Sequence, residues 1–413
     1  MKSAPLLPSL RIVTLGLNLF TALGLIVNSA PPASAQTETV LYSFCPTGGW
    51  CAGGAGPTTG VIADSAGTLY GVTSRGGTGA GGIAFKVTPA GEESLLYDFS
   101  AAPSYPNDPD GQLILDQQGN LYGTTREGGT NSLHFPRGDG TAFKLSPDGT
   151  ETTLYNFGAY NSDGDEPTGA GLVMDARGDF FGTTSWGGVY AYGTIFRLSP
   201  DGVETILHNF AYDLSDGGQP EASLIVDSHG NLYGTTVSGG AHGWGTVFEL
   251  SAEGSYSILH SFDEATGDGV IPLNSLTVDS QGNLYGATYW GGAYSLYSGG
   301  TVFKLSPGSN GSWTEAILYN FGQEHGSCQN PESTVLFDAK GNLYGTTGYG
   351  GASGGGCAYK LSPAGKLTVL HAFGEGDDGA DPSGNLVFFQ GNLYGTTYSG
   401  GAYAEGTVFK ITP

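Results

Sequence analysis

The sequence predicts an all-β chain folded as a seven-bladed β-propeller, with four-stranded blades and closure by the N-terminal strand. Three observations carry this expectation. One unit recurs seven times, each copy holds four short strand-like segments, and the two ends carry complementary fragments of the unit.

Gly-Asn-Leu-Tyr-Gly-Thr-Thr stands at 119–125, 230–236, 341–347 and 391–397, with variants at 67–73, 178–184 and 282–288. Tyr70, Tyr122, Phe181, Tyr233, Tyr285, Tyr344 and Tyr394 therefore recur every 50 to 59 residues, a period of propeller blades. Strand a is Leu-x-x-Asp, as at Leu224–Asp227. Strand b is Leu-Tyr-Gly-Thr-Thr, reached through a tight turn. Strand c is Gly-Thr-Val-Phe-Lys-Leu-Ser-Pro, as at Gly300–Pro307, and strand d is Glu-Thr-x-Leu-Tyr-x-Phe, as at Glu151–Phe157. Gly- and Asp-rich turns separate them. The chain after residue 36 opens on a lone strand d (Thr37–Phe44) and stops at Pro413 after a strand c. A ring needs such fragments so that no edge stays unpaired, whereas an open stack wants capping repeats. Strand a is expected to line the channel, with strand d outermost.

Apolar residues occur on both parities of the strands because a blade buries both faces. The Gly of Leu-Tyr-Gly is expected to admit a neighbouring backbone, and its Tyr is read as packing.

Composition narrows the function. The 413 residues include 73 Gly and 21 Pro, about twice the usual share, which excludes a helical bundle. Lys and Arg number 14 against 38 Asp and Glu, so nucleic acid is not an expected partner. Residues 1–35 carry Lys2, Arg11, an apolar run from Ile12 to Val27 and Ala33-Ser34-Ala35, the pattern of a cleaved export signal. The expected domains are that signal and one propeller over 36–413. The expected setting is secreted, periplasmic or cell-surface, as a monomer with no membrane span after cleavage.

Val-Asp-x-x-Gly-Asn-Leu-Tyr-Gly, at Val226–Gly234 and Val278–Gly286, is similar to the blade signature of NHL-type propellers. With the strand c and d motifs it resembles the bacterial GloVer tandem repeat, whose members are known as choice-of-anchor proteins. The resemblance spans residues 37–413. It implies an exported protein and supplies no catalytic residues. Kelch repeats share the Gly-Gly doublet, but their recurring Trp is missing here.

Antiparallel strands place the long b-to-c and d-to-a loops on one face, where variable loops favour recognition. The b-to-c loops carry the candidate ligand-binding residues: Trp186, Tyr190 and Tyr192; His242 and Trp244; Tyr289, Trp290, Tyr294 and Tyr297; Tyr398 and Tyr403. Flat rings beside polar groups suit sugar faces. The d-to-a loops are acidic, at Asp108 and Asp110, Asp163-Gly164-Asp165-Glu166, Asp216-Gly217, Asp268-Gly269 and Asp377–Asp381. Ca²⁺ is the cation such loops would suit, yet an Asx turn uses the same residues and is the favoured reading. His208, His260 and His371 occupy the Tyr position of strand d and are read as structural. His134, His229, His242 and His325 are singletons without metal spacing.

Four cysteines allow three pairings. Topology favours Cys45 with Cys51, in one d-to-a loop, and Cys328 with Cys357, in one later unit. The expected role is therefore recognition or scaffolding for a glycan or protein. A polysaccharide-active lyase or hydrolase is the alternative, using loop acids with His242 or His325.

Overall fold

The computed structural model describes residues 38–46, 51–99, 108–132, 138–167, 169, 171–294, 299–324 and 326–413. The export segment read at 1–35 lies outside the described residues, as do His134, Tyr297 and His325.

Seven antiparallel sheets each set strands a, b, c and d side by side, and six of them keep chain order. Blade 3 shows the plan: Val173–Met174, Phe180–Thr184, Thr194–Leu198 and Glu204–Asn209. Blades 1, 2, 4, 5 and 6 cover 62–98, 114–156, 225–261, 277–320 and 336–372. Blade 7 joins Val387–Phe389, Asn392–Thr397 and Thr407–Ile411 to the N-terminal strand Glu38–Ser43. That strand pairs with the last one from Glu38↔Ile411 to Ser43↔Thr407. The ring closes as the complementary chain ends require.

Seven hydrophobic clusters hold the ring, one at each seam between neighbouring blades. The Phe ending each strand d packs against the strand c aromatic of the next blade, as Phe157 on Phe196 (ring centroids 5.0 Å apart) and Phe373 on Phe409 (4.9 Å). Phe44 closes the circle on Phe85 at 5.0 Å. Burying a ring of this size is among the largest single contributions a core residue makes.

The recurring Gly of strand b is explained by the same ring. Gly234 lies opposite Phe248, and a Cβ there would stand 2.5 Å from the Phe248 Cζ. The expectation of a neighbouring backbone at this Gly is corrected: a side chain from the paired strand fills the space. The Tyr beside it secures the a-to-b turn. Tyr122, Tyr285 and Tyr344 each donate to the turn aspartate at 3.1 Å, and that Asp also accepts turn amides. Blade 3 has Phe181 there, and Arg197 bonds Asp179 at 2.7 Å instead.

Every pairing of strands c and d contains a bulge, placed at the Leu of Leu-Tyr-x-Phe or Leu-His-x-Phe. A bulge sharpens local twist, and sequence periodicity alone gave no sign of it.

The disulfides are Cys45–Cys51 and Cys328–Cys357, as topology indicated. The second spans 29 residues, so the chain-entropy account gives it about 3.5 kcal/mol. Replacing both Cys328 and Cys357 with Ser is expected to lower stability by roughly that amount in urea melts. An unchanged midpoint would show that the bridge adds nothing to folding.

Candidate functional site at the channel mouth

A proline column builds the mouth. Pro57, Pro109, Pro167, Pro220, Pro272, Pro331 and Pro382 each end a d-to-a loop just before strand a. The residue before each, namely Gly56, Asp108, Glu166, Gln219, Ile271, Asn330 and Asp381, has φ between 48° and 59°. Backbone bonds hold these left-handed corners; the Ile271 N–H donates to the Trp244 carbonyl, and its carbonyl accepts from Tyr289. A β-branched residue there stores strain of order 1–3 kcal/mol.

Beyond the prolines the chain turns to the axis and the blades converge. A Cβ on Gly60 would lie 1.9 Å from the Asn385 carbonyl oxygen, and one on Gly171 2.5 Å from that of Gln112. Asn385 reaches across to donate to Gln112 Oε1 at 2.6 Å, and its own oxygen accepts the Thr334 N–H at 2.7 Å. Above this level opens a cavity of about 450 Å³, lined among others by Asp110, Arg126, Glu166, Trp186, Glu221, Asn274, Tyr289 and Glu332.

The charge at the mouth is lopsided. Asp110, Glu221 and Glu332 follow their prolines in blades 2, 4 and 6, while Asp108, Glu166 and Asp381 precede theirs. Against these stands Arg126, 3.5 Å from Glu166. Burial raises every one of these carboxyls. Asp108 is pushed up to about 6, by burial and then by Asp110, with Arg126 opposing. Burial also raises Asp110, Glu166 and Glu221, and Arg126 again pulls the other way. Burial, and then their mutual interaction, raises Glu332, and burial raises Asp381, so the pair retains a proton well above the ordinary carboxylate range. Gly348 makes room for this pair, since a Cβ there would stand 2.3 Å from Glu332 Oε1.

Four other loop acids, Asp163, Asp216, Asp268 and Asp378, are hydrogen-bonded within the fold. Asp163 accepts from the Gly164 and Ala159 amides and from the Tyr155 hydroxyl. Asp216, Asp268 and Asp378 each accept from the following Gly amide and face His208, His260 and His371 at 3.1, 2.9 and 2.8 Å. These hydrogen bonds fix the orientation of the four aspartates in their turns.

The candidate aromatic residues divide into three groups. Trp186 and Tyr289 line the cavity. A two-residue ladder, Gly164–Asp165 with Trp186–Gly187, ties the Trp186 backbone to the d-to-a loop. Tyr190, Tyr294 and Tyr403 stand about half exposed on the b-to-c loops. The rest are engaged in packing: Tyr192 stacks on Tyr212, Trp244 packs on the blade 4–5 core, Trp290 lies against Tyr289, and Arg75 sits over Tyr398. His242 is 3.8 Å from Asp263 and does not line the cavity.

The loop aromatics drew sequence reasoning away from Gln112, Arg126, Glu221, Asn274, Glu332 and Asn385. Aligning the units on their prolines, column by column, would have shown an acid in every second blade.

Known proteins share the fold. Virginiamycin B lyase from Staphylococcus aureus has a similar fold, with a TM-score of 0.58 at 11% identity over 91% of this chain and 98% of that one. The extracellular domain of a hybrid two-component system from B. thetaiotaomicron gives 0.55 at 13% identity, over 92% of this chain and 41% of that one. At such identities the likeness is one of fold. No curated protein matches the sequence. The family described as the Gloeobacter/Verrucomicrobia repeat matches residues 21–225 and again 225–413, and the chain belongs to that family.

Proposed function

We propose that this is an exported propeller that recognises a glycan at the mouth of its channel, through residues from the b-to-c and d-to-a loops. The observation that carries this reading is the lining of the 450 Å³ cavity, where carboxylates and the amides of Gln112, Asn274 and Asn385 meet the rings of Trp186 and Tyr289. Carboxylates and amides bond sugar hydroxyls, and a ring covers the apolar face of a pyranose. Tyr190, Tyr294 and Tyr403 offer further rings on the same face for a longer chain. Export rests on the signal-like first 35 residues, and the two disulfides suit an oxidising compartment.

A glycan array followed by calorimetry tests this. Trp186→Ala is expected to weaken binding of the selected glycan at least tenfold, about 1.4 kcal/mol, with only a modest change in Tm because the side chain is 39% exposed and lies outside the clusters at the blade seams. Unaltered affinity in that variant sinks the reading. No hit on the array, with capture of a protein instead, favours the scaffold role.

The Glu332–Asp381 pair supports a second reading, a polysaccharide-active enzyme. A buried carboxyl pair that holds its proton above the ordinary carboxylate range is the arrangement that general-acid cleavage uses. Product analysis separates the two readings. Turnover that Glu332→Gln abolishes while binding persists establishes catalysis, and binding without bond cleavage excludes it.

A further inference from the structure

Around the outer rim, at five seams, the Tyr or His of one strand d faces a residue in the early part of strand d of the next blade. The pairs run Tyr42 with Glu93, Tyr155 with Glu204, His208 with Tyr256, His260 with Glu315, and His371 with Glu38. The d-to-a aspartate lies beside the same spot in the last four. Two of these seams combine a nitrogen with two carboxylates: His260, Asp268 and Glu315, and His371, Asp378 and Glu38. Within each set the ligand atoms all lie within 4.8 Å of one another.

We propose that these two seams are binding sites for a borderline divalent cation of the Zn²⁺ class, and that the second clips the closing strand to blade 6. The donor set of one imidazole nitrogen and two carboxylate oxygens is the chemistry such ions take. His260 Nε2 is 2.9 Å from Asp268 Oδ2 and 3.8 Å from Glu315 Oε2. These values bracket the edge of about 3.3 Å that a tetrahedron with metal–ligand bonds near 2.05 Å demands. The remaining position is left for water. Oε1 of Glu315 and of Glu38 is buried without a hydrogen-bond partner, as it is in Glu93 and Glu204, and the imidazole nitrogen is what sets these two seams apart. At the second site a cavity of about 440 Å³, lined also by Glu375 and Asp377, gives an ion access. Glu38 belongs to the N-terminal strand, while His371 and Asp378 belong to blade 6 and its following loop. An ion held there joins residues far apart in sequence, and would stabilise only the closed ring.

The fold supplies its own controls. The Tyr155, Asp163 and Glu204 seam has the carboxylates without the nitrogen, and the His208, Asp216 and Tyr256 seam has the nitrogen with one carboxylate.

The test uses the full mature chain, stripped with chelator and titrated with Zn²⁺ by calorimetry, with Co²⁺ as a spectroscopic probe. Two equivalents are expected at micromolar affinity, with a rise in Tm of several degrees and Co²⁺ absorption typical of tetrahedral N/O coordination. Glu38→Gln and Glu315→Gln are each expected to remove one equivalent, their combination both, and Glu204→Gln neither. The Gln variants keep side-chain volume, and a melt of each apo protein checks folding independently. No saturable binding, or two equivalents surviving in the Glu38→Gln/Glu315→Gln protein, overturns the proposal; the latter places the ions elsewhere, such as the channel mouth.

Discussion

Removing residues 37–44 is expected to open the ring and produce the largest loss of stability of any small change to this protein. Glu38–Ser43 supplies the outer strand of blade 7, pairing with Thr407–Ile411. The Phe44 amide then donates to the Gly406 carbonyl at 3.0 Å, and the ring of Phe44, fully buried, packs on Phe85. Without this segment the strand Thr407–Ile411 becomes an unpaired edge flanked by exposed core, the arrangement that invites edge-to-edge association. Thermal melts should show a much lower, broadened transition, and size-exclusion should show larger species. Phe44→Ala, which keeps the ladder and deletes the ring, is expected to cost about 3–5 kcal/mol. Phe210→Ala at an internal seam should cost a similar amount, because both rings fill the same place between blades. Should the truncated chain melt like the intact one, closure by the first strand is wrong, and the site built on that geometry falls with it.

Stability is expected to be greatest in mildly acidic solution and to decline as pH rises towards neutrality. The groups involved are acids raised in the folded state. Burial, then Asp163, lifts Glu204 to about 7, and burial, then Asp110, lifts Asp108 to about 6. Glu166, Glu221 and the Glu332–Asp381 pair shift the same way. Between the ordinary carboxylate range and these raised values the folded chain holds more protons than the unfolded chain. Stability therefore falls with rising pH through about 5 to 7. The turn aspartates Asp64, Asp116, Asp227, Asp279 and Asp338 act oppositely. Burial works against them, but turn N–H groups and neighbouring side chains hold them below the usual value. Their contribution is present above pH 4 and is lost on stronger acidification. A net charge of −24 adds self-repulsion in the same neutral range. Chemical melts from pH 3.5 to 8 check this, and Glu204→Gln should flatten the decline. A profile rising monotonically to pH 8 contradicts it.

The repeat made most of the fold legible. Leu-Tyr-Gly-Thr-Thr, Val-Phe-Lys-Leu and Leu-Tyr-x-Phe each gave a strand because packing around them is the same in every blade, so seven copies average out local ambiguity. The strand d bulge was hidden, since Leu154 or Leu207 carries no turn residue to mark it. The role of Gly234 was only half visible: that something approaches it follows from the residue type, but that it is the Phe248 ring follows from register.

The site was less legible for a related reason. Its residues are the ones that break the repeat, and each blade contributes a different one. Sequence by itself determined the number of blades, their order, the closing strand, the disulfide partners and the face bearing the variable loops, because those depend on pattern and local spacing. Only the tertiary structure decided which loop acids meet. Asp163 and Asp216 are absorbed by turn amides and strand d partners, whereas Asp110, Glu221 and Glu332 converge on one cavity with Arg126 and Trp186. That distinction is set by the convergence of seven chain segments on one axis, a distance relation between residues more than 200 positions apart.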